Sequence, residues 1–206
     1  MDEKKTGTTT VGLLCKDCVI LGSESKATMG YLVAAKETKK IYQLDDKIAV
    51  TIAGSAADNQ ALVRIMRAEI NLYKLTRNTE LTVKAASTLL SNILQGSRYY
   101  PYLSVMIIGG ADKNGLHLYS TDPIGSIEEE KSFTSTGSGS PMAFGVLEDG
   151  FREALSQEEG INLAVRAIKA ARERDVFSGG KNINVVVIDK DGVKFVDREK
   201  ITEIAK

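Results

Sequence analysis

Histidine is almost missing from this chain: one of the 206 residues, His117, is a histidine, and two, Cys15 and Cys18, are cysteines. With one histidine and no convincing partner for it, Ser-His-Asp and Cys-His mechanisms are excluded, and a zinc site lacks its four ligands. Two cysteines also exclude a disulfide scaffold. An excess of either charge is missing too. The 27 Lys and Arg residues cancel the 27 Asp and Glu, leaving a formal net charge of zero. No whole-molecule field is left to hold nucleic acid or an anionic membrane surface. Long apolar runs are absent: stretches such as residues 105–108 and 185–188 fall far short of the ~18 residues a membrane-spanning helix needs. The charged start Met1-Asp2-Glu3-Lys4-Lys5, followed by threonines, does not read as a secretory signal. No internal repeat, long linker or low-complexity segment interrupts the chain.

What the chain does have is one domain's length and 43% apolar composition, enough for a sizeable core. Cys15-Lys16-Asp17-Cys18 has redox or half-zinc spacing. Both flanks look extended, however, so a tight hairpin turn at Lys16-Asp17 with facing cysteines is the preferred reading. A second hairpin spans residues 40–53 with its turn at Asp45-Asp46. From Ala57 the apolar period becomes helical through Leu62, Ile65 and Met66, and a second helix from Thr82 ends before Gly96. Strands return at 103–108 and 116–120 around Asp112-Lys113-Asn114-Gly115. His117 alternates with Leu116 and Leu118 and reads as a structural residue on a strand face. Helices are then expected over 143–155 and 161–174, with a last hairpin turning at 189–192. Strands joined by short turns imply antiparallel pairing, and helices arriving in pairs imply one pair on each outer face. The predicted class is α+β, a four-layer αββα sandwich of two antiparallel sheets.

Two segments could carry chemistry. The run Gly137-Ser138-Gly139-Ser140-Pro141 resembles a phosphate cradle but lacks the lysine and spacing of one, so a loop with a helix cap is preferred. The other is Thr6-Gly7-Thr8-Thr9-Thr10-Val11-Gly12. A threonine at a free N-terminus carries a base on its own Cα, with a reference pKa of about 7.7 to 8.0, which would replace the missing histidine. That requires cleavage between Gly7 and Thr8. A threonine run is equally ordinary β-strand composition.

A wider set of motifs in shared order makes the chain resemble the catalytic β subunits of archaeal 20S proteasomes, threonine proteases of the N-terminal nucleophile hydrolase superfamily. The motifs are Gly7-Thr8-Thr9-Thr10-Val11-Gly12, Ser23-Glu24-Ser25-Lys26-Ala27-Thr28, Lys39-Lys40-Ile41 and Thr51-Ile52-Ala53-Gly54. Tyr100-Pro101-Tyr102, the 136–141 run, Gly145-Val146-Leu147-Glu148 and Arg174-Asp175-Val176-Phe177-Ser178-Gly179-Gly180 complete the set. The family fold is the same sandwich.

The resemblance implies a propeptide, residues 1–7, removed by self-cleavage, and a peptidase domain over 8–206. Thr8 is then both nucleophile and, through its freed amine, proton acceptor. Lys40 matches the essential lysine and Glu24 its acidic partner, where many members have aspartate. Ser138, Asp175 and Ser178 match the groups around the amine, and Gly54 the oxyanion donor. Thr28 and Ala56 match the backbone that pairs with substrate, while Ala27, Ile52 and Ala56 match the pocket for the residue before the scissile bond, favouring apolar side chains. No metal and no cofactor is implied. The implied partners are other β subunits in a seven-membered ring, α-subunit rings, a regulatory ATPase acting through them, and unfolded polypeptide substrates, in the cytoplasm. Three other readings compete: a non-catalytic subunit of the same ring, the related bacterial two-ring peptidase with an ATPase partner, and a small-molecule amidohydrolase of the same superfamily.

Overall fold

The computed structural model describes residues 7–205. Residues 1–6 of the expected propeptide therefore lie outside the described residues. The elements follow as β1 (Thr10–Leu14), β2 (Val19–Glu24), β3 (Ala27–Met29), β4 (Leu32–Ala35), β5 (Ile41–Asp45), β6 (Ile48–Gly54), α1 (Ala56–Arg77) and α2 (Val83–Gly96). The second half contributes β7 (Ser104–Asp112), β8 (Gly115–Thr121), β9 (Ile127–Glu129), β10 (Phe133–Thr136), α3 (Ser140–Gly150), α4 (Gln157–Arg174), β11 (Ile183–Asp189), β12 (Gly192–Phe195) and α5 (Arg198–Ile204).

Two five-stranded sheets, in the orders β10-β1-β2-β11-β12 and β5-β6-β7-β8-β9, stack face to face, and β3-β4 form a separate hairpin. Every pairing is antiparallel, as expected from the short turns. Period-two alternation assigns side chains to layers. On β1, Val11 and Leu13 pack under α3 and α4 with Ala164 and Ile168. On β6, Val50 and Ile52 pack under α1 and α2 with Leu62, Met66 and Leu90. The opposite faces meet between the sheets through Leu21, Ile41, Ala49, Ile107, Leu118 and Val186. Three apolar layers between four structural layers make the predicted αββα sandwich.

Local chemistry sets the helix ends. Ser55, Thr82 and Ser156 cap α1, α2 and α4, and Ser156 with Glu159 forms a reciprocal capping box. That box starts α4 at Gln157, four residues before the expected Ile161. Helix α3 is displaced from its expected 143–155: it starts at Ser140 because proline is tolerated in a first turn, and it ends at Gly150, after which Phe151 is extended. Helix α2 keeps Gly96 as its last residue rather than ending before it. The short strands β3, β4, β9 and β10 and helix α5 have too few residues to show a period, and the sequence pattern did not mark them.

Lys16-Asp17 form the expected turn, with the Cys15 amide donating to the Cys18 carbonyl at 2.9 Å. Both thiols are buried and unbridged. His117 pairs with Gly110 at the Ile48 end of its sheet, six residues along β6 from Gly54, or roughly 20 Å. It stacks on Tyr119 and faces Asp112 at 3.4 Å. It serves that hairpin.

Candidate active site

The end of the sandwich opposite His117 gathers the polar residues. β2 ends on Glu24, β5 begins just after Lys40, β6 ends on Gly54, and β1 begins two residues after Thr8. Placed there by four strand ends, Thr8 and Lys40 are 5% exposed and Glu24 is fully buried.

Lys40 Nζ donates to Thr8 Oγ1 at 2.9 Å and to Glu24 Oε1 in a short ion pair. Glu24 Oε2 accepts from the backbone amides of Lys26 (2.6 Å) and Gly179 (3.1 Å), so both carboxylate oxygens are engaged. Burial pushes the Glu24 carboxyl up, against the opposing pull of Lys40. Burial likewise pushes the Lys40 ammonium down, against the opposing pull of Glu24. Each charge holds the other in a place that would neutralise it alone. The extra methylene of glutamate at this position still reaches the lysine.

A second chain of bonds approaches Thr8 from the other side. Asp175, capping the end of α4, accepts through Oδ2 from Ser138 Oγ (2.6 Å) and Ser178 Oγ (2.5 Å). A hydroxyl has one proton, so Ser138 has only its lone pairs left for Thr8 N, which donates to it at 3.2 Å. The same count makes Thr9 Oγ1 the donor in its 2.6 Å bond to Ser178 Oγ. The residue 137–140 loop thus packs on Thr8, and Gly139 N donates to Thr8 O at 3.3 Å.

Two glycines are required by space. Gly54 has φ +108°, and a Cβ there would stand 2.2 Å from the Leu103 carbonyl oxygen. A Cβ on Gly7 would fall 1.7 Å from Phe177 Cβ. Gly7 is held so that its carbonyl oxygen accepts from Thr8 Oγ1 at 2.6 Å.

The structure therefore brings together Thr8, Lys40, Glu24, Ser138, Asp175 and Ser178. Gly54 lies at the end of β6, and Ala56 opens α1 beside it, exposed. Ala27 and Thr28 sit half-buried on β3, where Thr28 Oγ1 has no hydrogen-bond partner among the described residues. Ile52, on β6 two residues before Gly54, packs under α1 and is 6% exposed. Sequence reasoning missed Thr9, Lys26, Phe177 and Gly179 as supports of the site. All four lie inside motifs quoted above, but what marks them is contact across the fold, not residue type.

Against known proteins, the proteasome subunit family matches residues 4–188. The chain belongs to the proteasome subunit family. It is 54% identical over 205 residues to the proteasome subunit beta of Methanocaldococcus jannaschii, covering 99% of this chain and 91% of that one. The proteasome subunit beta of Methanocaldococcus fervens is 53% identical with the same coverage. That of Methanosarcina mazei is 50% identical over 200 residues, 97% of this chain and 95% of the relative. This proteasome-family chain thus has β subunits among its relatives at nearly full length, and a protease family as its own. Among the described residues no helix is long and apolar enough to cross a membrane.

Proposed function

We propose that this chain is a catalytic β subunit of a 20S proteasome, a self-processing threonine endopeptidase whose nucleophile is Thr8. The observation that carries this is the three-way contact of Thr8 Oγ1, Lys40 Nζ and Glu24 in a buried site, with Gly7 joined to Thr8 and its carbonyl against the hydroxyl. A purely structural subunit has no use for an expensive buried ion pair aimed at a hydroxyl.

In maturation, Thr8 Oγ1 attacks the Gly7 carbonyl carbon, and the acyl group passes from nitrogen to oxygen. The ester is then hydrolysed by water, releasing residues 1–7 and the Thr8 amine. In turnover that amine takes the hydroxyl proton while the Lys40 ammonium, 2.9 Å away, stabilises the developing alkoxide. Oγ1 adds to the substrate carbonyl, the Gly54 N–H receives the oxyanion, and the C–N bond breaks as the leaving amine takes the proton; water, giving a proton to the Thr8 amine, then cleaves the ester, and that proton returns to Oγ1. The Asp175–Ser138 pair orients the Thr8 nitrogen throughout. Substrate lies extended against Thr28 and Ala56, and the small and apolar walls at Ala27, Ile52 and Ala56 favour apolar residues. With so open a cleft, selectivity comes from confinement: other β subunits complete the ring, α rings close the chamber, and an ATPase delivers unfolded chains in the cytoplasm.

The deciding experiment is intact-mass analysis of assembled protein with and without an epoxyketone probe. Loss of seven residues and an adduct on the new Thr8 terminus are expected. Peptide hydrolysis by particles that keep residues 1–7 attached would sink the reading.

Gly7→Ala is expected to slow leader removal at least tenfold, because its Cβ forces the backbone off Phe177 and carries the carbonyl away from Thr8 Oγ1. Adding Phe177→Gly removes the obstructing carbon and should restore part of the rate, followed on denaturing gels. Equal processing of Gly7→Ala and the parent would reject this geometry.

The pH profile of kcat/KM on a short fluorogenic peptide should be bell-shaped. The acid limb belongs to the Thr8 amine, and the alkaline limb falls below the ordinary lysine value of about 10.4, because burial lowers Lys40. Between the folded and unfolded pKa values of Lys40 the unfolded chain binds the extra proton, so this residue's contribution to stability rises with pH there. Activity should therefore fall on the alkaline side without unfolding caused by Lys40. A profile flat to pH 10.5 would refute the ammonium role.

A further inference from the structure

The open edge of the sandwich, where β5 and β12 are the outer strands, is laced shut at two points. Lys181 N donates to Lys36 O at 2.8 Å, and Val193 N to Asp46 O at 3.0 Å. Near these ties lies a cavity of about 660 Å3, and Lys40 is the one residue of the Thr8–Lys40–Glu24 cluster on its lining. Its apolar wall is built by Ile41, Val185 and Ile201 with Phe195 toward the mouth, and Asn182 and Asn184 add amides. Next to Asn184 across the strand pair, the buried Ser23 hydroxyl has no hydrogen-bond partner among the described residues.

Both signs of charge line the cavity. Glu37 is paired with Lys181 at 3.0 Å, and Asp197, also an anion, accepts through Oδ1 from the Glu199 amide at 2.8 Å. Lys39 and Arg198, both exposed at the lining, are in no ion pair among the described residues. Lys39 Nζ instead stands 5.8 Å from the Phe195 ring and 5.2 Å from that of Tyr42. Lys39 and Arg198 beside an apolar wall, with the Asn184 amide on the lining and the Asn182 amide bonded to Glu37 at 3.3 Å, fit an anion that carries a hydrophobic body.

We propose that this cavity is a second binding site, taking the terminal carboxylate of a short peptide with its apolar last side chain against Ile41 and Val185. The site is distinct from the cleft at Thr28 and Ala56 and does not depend on Thr8 being the nucleophile. Binding is measured by calorimetry on the full-length, assembled Thr8→Ala protein, with N-acetyl-alanyl-leucine, its C-terminal amide and inorganic phosphate as probes. The acid should bind at least tenfold more tightly than the amide or phosphate. Lys39→Glu and Arg198→Glu, surface charge reversals with unchanged melting expected, should each weaken the acid at least fivefold. Equal binding of acid and amide, phosphate binding as tight as the acid, or a Lys39→Glu/Arg198→Glu protein that binds like its parent would overturn the proposal. Because no variant in the series is read by hydrolysis, a negative result here leaves the catalytic reading standing, and failure of that reading leaves this site standing.

Discussion

Thr8→Ala is expected to abolish peptide hydrolysis, a loss of roughly 10^4-fold or more, and to leave residues 1–7 attached. The two effects share one cause, since the oxygen that would attack a substrate carbonyl is the one lying 2.6 Å from the Gly7 carbonyl oxygen. The substitution removes a hydroxyl and a methyl at a residue 5% exposed, a cost of about 1 kcal/mol. Lys40 keeps Glu24 and the sandwich keeps its layers, so the variant should fold and assemble. Mass spectrometry reads the retained leader and a fluorogenic peptide assay reads the activity. Thr8→Ser keeps a hydroxyl and should keep both activities in part. Normal turnover by Thr8→Ala would require another nucleophile and would end the proposal.

Lys40→Ala is expected to be as inactive and, unlike Thr8→Ala, to be clearly less stable. Removing the ammonium strands the fully buried Glu24, and breaking a buried pair costs about 3–5 kcal/mol. The amides of Lys26 and Gly179 still hold Oε2, which argues for about 3 kcal/mol and a fall in Tm of roughly 6–12 °C. The burial of Glu24 is what sets this cost. Adding Glu24→Gln removes the stranded charge, so the double variant should recover much of the Tm and none of the activity. A Lys40→Ala protein that melts with the parent, or a double variant that regains hydrolysis, would show that the pair is not what organises Thr8.

The legible parts of the site were those whose chemistry depends on residue type. Thr8 after Gly7 is visible because few residues can act as both nucleophile and base, whereas Lys40, which follows another lysine, and Glu24 were marked by the family resemblance. Asp175 and Ser178 were legible only as a motif. Nothing local explains why a helix cap 167 residues away in the chain from Thr8 should matter; the hydrogen bond through Ser138 explains it. Ile52 carries two assignments at once: the resemblance puts it in a pocket with Ala27 and Ala56, and period-two alternation on β6 puts it on the face toward α1. The helix boundaries that moved did so for local reasons, a first-turn proline at α3 and a capping box at α4, while β3, β4, β9, β10 and α5 are too short for any period to register.

By itself the sequence determined the layer order, because apolar periodicity dictates which face of each element must be buried, and it offered Thr8 as a candidate nucleophile, because a threonine freed at its amine carries its own base and needs no histidine. Tertiary structure alone decided that Lys40, Glu24 and Thr8 touch, that Gly7 has no room for a side chain, and that the cavity beside Lys40 exists. Those facts depend on where four strand ends and a helix end meet in space, and separation along the chain carries no record of that distance.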